Sequence, residues 1–190
     1  ILIAYPNRIN WSWLSENPAA ISLLLEHPEK IDWISLSKNP SAISLLAANL
    51  DKIHWKSLSE NPGAMEILAA HPDKINWIEL SSNPSAIPLL VANPDRIFWH
   101  ELSKNPSAIH LLIANPNYIS WNTLSENPAA INLLLEHPEK IDWNYLSSNP
   151  AAMQLLKENQ KKINWYEMSR NPGIFKLRTD PRIILEILGV

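Results

Sequence analysis

The sequence contains no cysteine. Disulfide frameworks, thiolate metal sites and cysteine nucleophiles are therefore excluded. Glycine is scarce, at Gly63, Gly173 and Gly189 only, so no glycine-rich loop is present to cradle a phosphate. Charge is also sparse. Charged residues make up 18% of the 190 residues and the formal net charge is −3. That excludes a disordered polyelectrolyte and argues against a protein built to grip nucleic acid or an acidic membrane. No apolar run approaches the ~18–20 residues of a membrane span. No charged-then-apolar signal segment opens the chain.

What is plentiful is proline, with 16 residues, and tryptophan, with nine. Trp recurs at 11, 33, 55, 77, 99, 121, 143 and 165, always 22 residues apart. Asn-Pro recurs with the same step, at Asn17-Pro18, Asn39-Pro40, Asn61-Pro62 and onward to Asn171-Pro172. One unit reads Asn-Pro-x-Ala-Ile-x-Leu-Leu-x-x-(Asn/His)-Pro-x-Lys-Ile-x-Trp-x-x-Leu-Ser-x. A period of this size marks stacked units, each unable to bury its own apolar face alone.

Each unit holds two proline-started segments. Asn17 suits an N-cap and Pro18 the first helical position, where no amide hydrogen is needed. This predicts helix A from Pro18 to Glu26, apolar nearly all round and hence sandwiched in the interior. His27-Pro28 then opens helix B, Pro28 to Ser37, with Glu29 in its first turn and Ile31, Trp33 and Leu36 on its apolar side. Helices of about 8–9 residues do not survive alone in water, so neighbouring units must hold them. The fold class is therefore all-α, an α-solenoid of about eight stacked two-helix repeats. A leucine-rich repeat is the main rival. It fails because aligning its Asn on the Asn-Pro puts Ser12, Lys56, His100, Asn122 and Asn144 where it demands apolar residues.

Stretches such as Leu36-Ser37-Lys38-Asn39-Pro40-Ser41-Ala42-Ile43 and His137-Pro138-Glu139-Lys140-Ile141-Asp142-Trp143 carry a resemblance. The chain resembles, over almost its whole length, the short Asn-Pro/Trp helical-repeat proteins of giant nucleocytoplasmic DNA viruses. The resemblance implies a viral protein, placed in the host cytoplasm or the virion. It carries over no functional residue.

Residues 1–16 read as an incomplete repeat, 17–170 as seven full repeats, and 171–190 as a capping repeat within one array. The raw apolar edge Ile1-Leu2-Ile3 is expected to meet further repeats or a partner. At the other end the proline spacing breaks at Pro181, Arg178, Asp180 and Arg182 appear, Glu186 takes the Trp position, and Gly189 stops the last helix. Leu50 and Gln160 replace the second proline and can still start a helix. Pro88 is expected to kink helix A near Ile87. Asn17–Trp33 and Asn127–Trp143 differ only at Ser22 and Asn132, as after a recent duplication.

The polar columns offer little chemistry. His27, His71 and His137 read as caps for helix B, two or three repeats apart and too distant to share a metal. Glu29, Asp51, Asp73, Asp95 and Glu139 match the helix dipole. Ser15, Ser37 and their equivalents close a turn rather than act as nucleophiles. Arg8, Lys30, Lys52, Lys74, Arg96, Lys140 and Lys162 form a basic column, broken by Tyr118. The acidic residue before most of them cancels its field, which disfavours a phosphate track. The Trp column reads as buried structure, each indole N–H bonded to a carbonyl, rather than as base-stacking platforms. No catalytic, cofactor or metal site is expected.

The copies differ at two sets of positions. One follows each ladder Trp: Trp13, Ile34, Ser35, Lys56, Ser57, Ile78, Glu79, His100, Glu101, Asn122, Thr123, Asn144, Tyr145, Tyr166 and Glu167, with Ser12 preceding them. The other lies in helix A: Ser22, Ser44, Glu66, Pro88, His110, Asn132, Gln154 and Lys176. Such differences on a common scaffold fit an extended surface for a protein partner, and relaxed drift fits them equally. The sequence thus points to a non-enzymatic scaffold for protein–protein interaction, serving host-protein capture or virion assembly. The alternatives are a structural spacer or virion component and, last, a nucleic-acid-binding solenoid. On this reading Trp77→Ala costs ~3–5 kcal/mol and Asn83→Ala only ~1 kcal/mol.

Overall fold

A computed structural model describes residues 8–175 of the chain. The expectations for Ile1–Ile3, for Lys176 and for the residues of the C-terminal cap beyond 175 lie outside that range. The chain divides into two compact units, one ending at Ile119 and one beginning at Ser120. Both have the same architecture, an all-α solenoid of 22-residue repeats, with no strand among the described residues.

Most repeats break into four short pieces rather than two helices, the repeat from Asn61 having a plain turn in place of its first 3-10 piece. In the repeat from Asn17 they are a 3-10 turn Pro18–Ala20, helix A at Ile21–Glu26, a second 3-10 turn Pro28–Lys30, and helix B at Trp33–Lys38. Helix B therefore does not start at the second proline. Ile31 and Asp32 are extended, and the Asp32 carboxylate accepts the Ser35 N–H at 2.8 Å as the true N-cap. Asn10, His54, Asn76, Asp142 and Asn164 cap their helices in the same way. The acidic column at Glu29 and Asp51 sits in the 3-10 turn, not in the first turn of helix B. Leu50 and Gln160 do start their 3-10 turns without proline. Pro88 falls in the first turn of Ile87–Ala92, where its missing N–H matters least, and that helix runs unbroken.

Leucine, not tryptophan, makes the core. In the first unit Leu24, Leu46, Leu68, Leu90 and Leu112 of helix A face Leu36, Leu58, Leu80 and Leu102 of helix B, all fully buried beside Ala42, Ala64, Ala86 and Ala108. The second unit repeats this with Leu124, Leu134, Leu146 and Leu156. Helices B of successive repeats pack on one another, as do the Asn-Pro turns. Helix A is not sandwiched. Only one strip of it is buried, and Leu25, Val91, Ile113 and Leu135 are exposed on its outer side.

The Asn-Pro asparagine does far more than cap. Its carboxamide oxygen accepts the N–H two residues on, as in Ser41 N to Asn39 Oδ1 at 2.9 Å. Its nitrogen donates to two carbonyls of the preceding repeat, Ser15 at 2.9 Å and Asn17 at 3.0 Å. Asn61, Asn105, Asn149 and Asn171 repeat this double donation, and Asn83 reaches Ser59 O at 3.0 Å. All of these side chains are buried. The serine column forms a second seam. Ser37 Oγ donates to Trp33 O at 2.7 Å and accepts the N–H of His54, in the next repeat, at 3.0 Å. Among the described residues no buried side-chain nitrogen or oxygen lacks a partner.

The residue before the second proline is a C-cap of helix A, which corrects its reading as a cap for helix B. Asn49, Asn93, Asn115 and Asn159 each donate to the carbonyl four residues back at 2.9 Å. His71 Nδ1 lies 2.9 Å from Ile67 O. The column alternates Asn with His because both can offer an N–H there, whereas Asp, Ser or Thr would suit an N-cap.

These contacts invert the stability expectation. Removing Asn61 leaves the Ser37 carbonyl unbonded, strips the Asn39 carbonyl of one of its two donors and uncaps a turn, so Asn61→Ala should cost about 2–4 kcal/mol. Trp77 is only half-buried, and Trp77→Ala should cost less, about 1–3 kcal/mol. Urea unfolding should rank them in that order. Asn61→Asp should be more damaging at pH 7 than at pH 4, where the neutral acid regains one O–H donor. At the C-cap column, Asn93→His should lie within about 0.5 kcal/mol of the parent, while Asn93→Asp should cost about 1 kcal/mol.

Candidate functional site

The tryptophans between 11 and 143 that form the ladder are half-buried, and Trp165 is 68% exposed. No indole N–H among the described residues donates to a protein acceptor. The expected burial and carbonyl bond are thus both corrected. A six-residue helix packed through its leucine cannot also enclose an indole at its first position. Instead, a residue of the following repeat lies against the ring. His27, His71 and His137 sit 5.3, 5.2 and 5.0 Å from the rings of Trp11, Trp55 and Trp121. Where no histidine is available the basic column supplies the contact. Lys52 Nζ lies 4.8 Å from the Trp33 ring centroid and Lys162 Nζ 4.4 Å from that of Trp143. Tyr118, the exception in that column, stacks on Trp99 at 4.7 Å and 15°. Indole coverage thus employs these side chains.

The variable pairs after each Trp divide by depth. Ile34, Lys56, Ile78, His100, Asn122, Asn144 and Tyr166 are exposed on the outer face of helix B. The second members turn toward the seam between repeats. Ser57 and Thr123 are buried there, at 3% and 1% exposure, and so offer nothing to a partner. Ser35, Glu79, Glu101 and Glu167 are half-buried. Trp13 and Tyr145 remain exposed at this position. Packing sets the first member of one pair against the second member of the next: Ser12 Oγ lies 2.9 Å from Ser35 Oγ, and Lys56 Nζ 3.2 Å from Glu79.

A further column on this face was not evident from the pairs. It is the last residue before each Asn-Pro: Glu16, Lys38, Glu60, Ser82, Lys104, Glu126, Ser148 and Arg170. It varies as the pairs do and stands one turn beyond Ser12, Ile34 and their equivalents, the spacing that places residues on one helix face. Lys38 and Glu60 pair across repeats at 3.0 Å. That hydrogen bond, with the Glu60 charge behind it, raises the Lys38 ammonium above its ordinary value despite some desolvation. Lys104 and Arg170 pair with Glu101 and Glu167 at 3.0 and 3.6 Å within their own helices.

In the second unit the face contains a groove of about 380 Å³ between successive helices B, lined among others by Glu126, Asn144, Tyr145, Glu167 and Arg170. The variable column of helix A, Ser22 to Gln154, is exposed on separate elements. Among the described residues no three His, Asp or Glu gather as metal ligands, and no helix is long and apolar enough to cross a membrane. No protein-family model, no curated protein and no solved structure matches the chain.

Collisional quenching checks the indole assignment. Iodide should quench Trp13 and Trp165 most strongly, and a Trp13→Phe/Trp165→Phe double variant should lose most of the readily quenched fluorescence. A quenchable fraction unchanged in that variant would contradict the exposures.

Proposed function

We propose that the chain is a non-enzymatic repeat scaffold that docks a protein partner along the outer face of helix B. One observation carries the reading. Positions that are constant between repeats spend their hydrogen bonds inward, while positions that vary hold large apolar side chains in the open. Trp13 is 77% exposed, Tyr166 74% and Ile34 55%, on the same helix type as the charged columns. Exposed apolar and aromatic groups interleaved with charge suit a protein surface, and repeat arrays bind along such extended faces. The repeated polar residues are already engaged with the backbone, which supports a non-enzymatic reading. Serines such as Ser37 are held between two backbone groups, and Asn-Pro asparagines such as Asn61 between two repeats. Phosphate tracking is disfavoured because Lys52 and Lys162 lie over indoles. No cofactor is part of this reading. The viral setting, host-protein capture or virion assembly, rests on the sequence resemblance.

Photo-crosslinking in the cells that make the protein separates a docking face from a spacer. Benzoylphenylalanine placed at Ile34, Ile78 or Tyr166 should crosslink to one common protein, and at Leu25, Ile113 or Leu135 to none. No crosslink from any position in the folded chain would favour the spacer. Equal crosslinks from both faces would remove the preference for helix B.

A further inference from the structure

The geometry points to the groove of the second unit as a receptor for an arginine side chain of a protein partner. The inference rests on the docking face proposed above and names the chemistry one part of it recognises. In the first unit the equivalent seam is closed by the chain's own cations. Lys56, in the residue after its Trp, reaches the carboxylate of Glu79 in the next repeat at 3.2 Å. Lys38 reaches Glu60 at 3.0 Å.

Four repeats on, in the second unit, the seam lacks both of these cations. Glu167 occupies the position of Glu79, but the residue in place of Lys56 is Asn144. In the same register Glu126 stands in place of Lys38, and among the described residues it has no ion-pair partner. Ser148 stands in place of Glu60, with its hydroxyl turned onto the Tyr145 carbonyl at 2.8 Å. The result is the open space of about 380 Å³, a size at the lower end for ligand pockets. Its charged lining is two carboxylates, Glu126 and Glu167, against one guanidinium, Arg170, which lies 3.6 Å from Glu167. One negative charge is left over.

The rest of the lining favours arginine over lysine. Tyr145 is 39% exposed and presents an aromatic wall, on which a planar guanidinium stacks. Asn144 Oδ1 is already taken by Asn164 Nδ2 at 2.9 Å, which fixes both amides at the rim. A guanidinium has enough N–H groups to meet Glu126 and share Glu167 with Arg170, whereas an ammonium is a point charge. It would stand where the Lys56 ammonium stands in the first unit.

The test uses the purified full chain and two peptides, Gly-Gly-Arg-Gly-Gly and the same peptide with neutral citrulline for arginine. Amide shifts are followed by NMR. The arginine peptide should give saturating shifts at Tyr145, Asn164 and Glu167, and the citrulline peptide none. Glu126→Gln, an exposed and structurally neutral change, should weaken binding about fivefold or more, as loss of one charge-assisted contact does. Asn144→Lys restores the internal lysine of the first unit and should abolish binding. Equal shifts from both peptides, shifts spread over all surface acids, or full binding in Asn144→Lys would each overturn the proposal. Because the peptides report on the groove directly, its failure with helix-B crosslinks intact would reject the arginine site and leave the docking face standing. Loss of those crosslinks would reject the docking face itself.

Discussion

A buried asparagine carboxamide couples a repeat to the one before it at Asn39, Asn61, Asn83, Asn105, Asn149 and Asn171. Its two N–H bonds end on consecutive stretches of the preceding Asn-Pro turn, and its oxygen opens its own turn. Helices of six residues have no stability of their own. The coupling therefore supplies order between repeats as well as within them. No other side chain meets the requirement. Aspartate has no donor, serine cannot reach, and glutamine carries an extra methylene into a seam with no room for it. Burial raises the cost of a failed bond, because the orphaned serine carbonyl would pay its full desolvation.

Around that bond the remaining constants fall into place. The serine hydroxyl joins the end of one helix B to the start of the next, and the leucines and alanines fill the space between. The tryptophan is the least enclosed of the constant residues. Its ring is covered from the next repeat by histidine in one copy and by lysine or tyrosine in another. This exchange explains why the histidine and basic columns vary without harm to the fold. Either column can place a flat or cationic group against the indole, and polar–aromatic contacts of this kind tolerate substitution at modest cost.

The same economy governs function. A side chain committed to two backbone groups is not available for acid–base or nucleophilic work. The conserved-looking polar columns of this chain are structural for that reason. In the proposed reading, recognition falls to the outer face of helix B and the charged column one turn on. In the first unit internal ion pairs occupy part of that face. In the second a groove remains, with acid in excess. Two units built on one scaffold thus present different chemistry through single substitutions such as lysine for asparagine at equivalent positions.

The sequence by itself determined the period, the helical class and the assignment of Leu, Ala and Asn to constant positions. Those follow from spacing, because a 22-residue step with proline starts admits few folds. It also contained the alternation of Asn with His, and that choice of donors over acceptors identifies a C-cap once it is noticed. Only the tertiary structure decided depth and direction. Trp and Leu share one apolar stripe, and packing alone chose Leu36 for the core and left Trp33 half out. Ser57 and Thr123 look like surface residues, yet they lie in the seam. The long-range bonds of Asn39 and Asn61 span 22 to 24 residues and have no local signature. The groove at Tyr145 draws on three successive repeats, and such a convergence exists only after the layers have stacked.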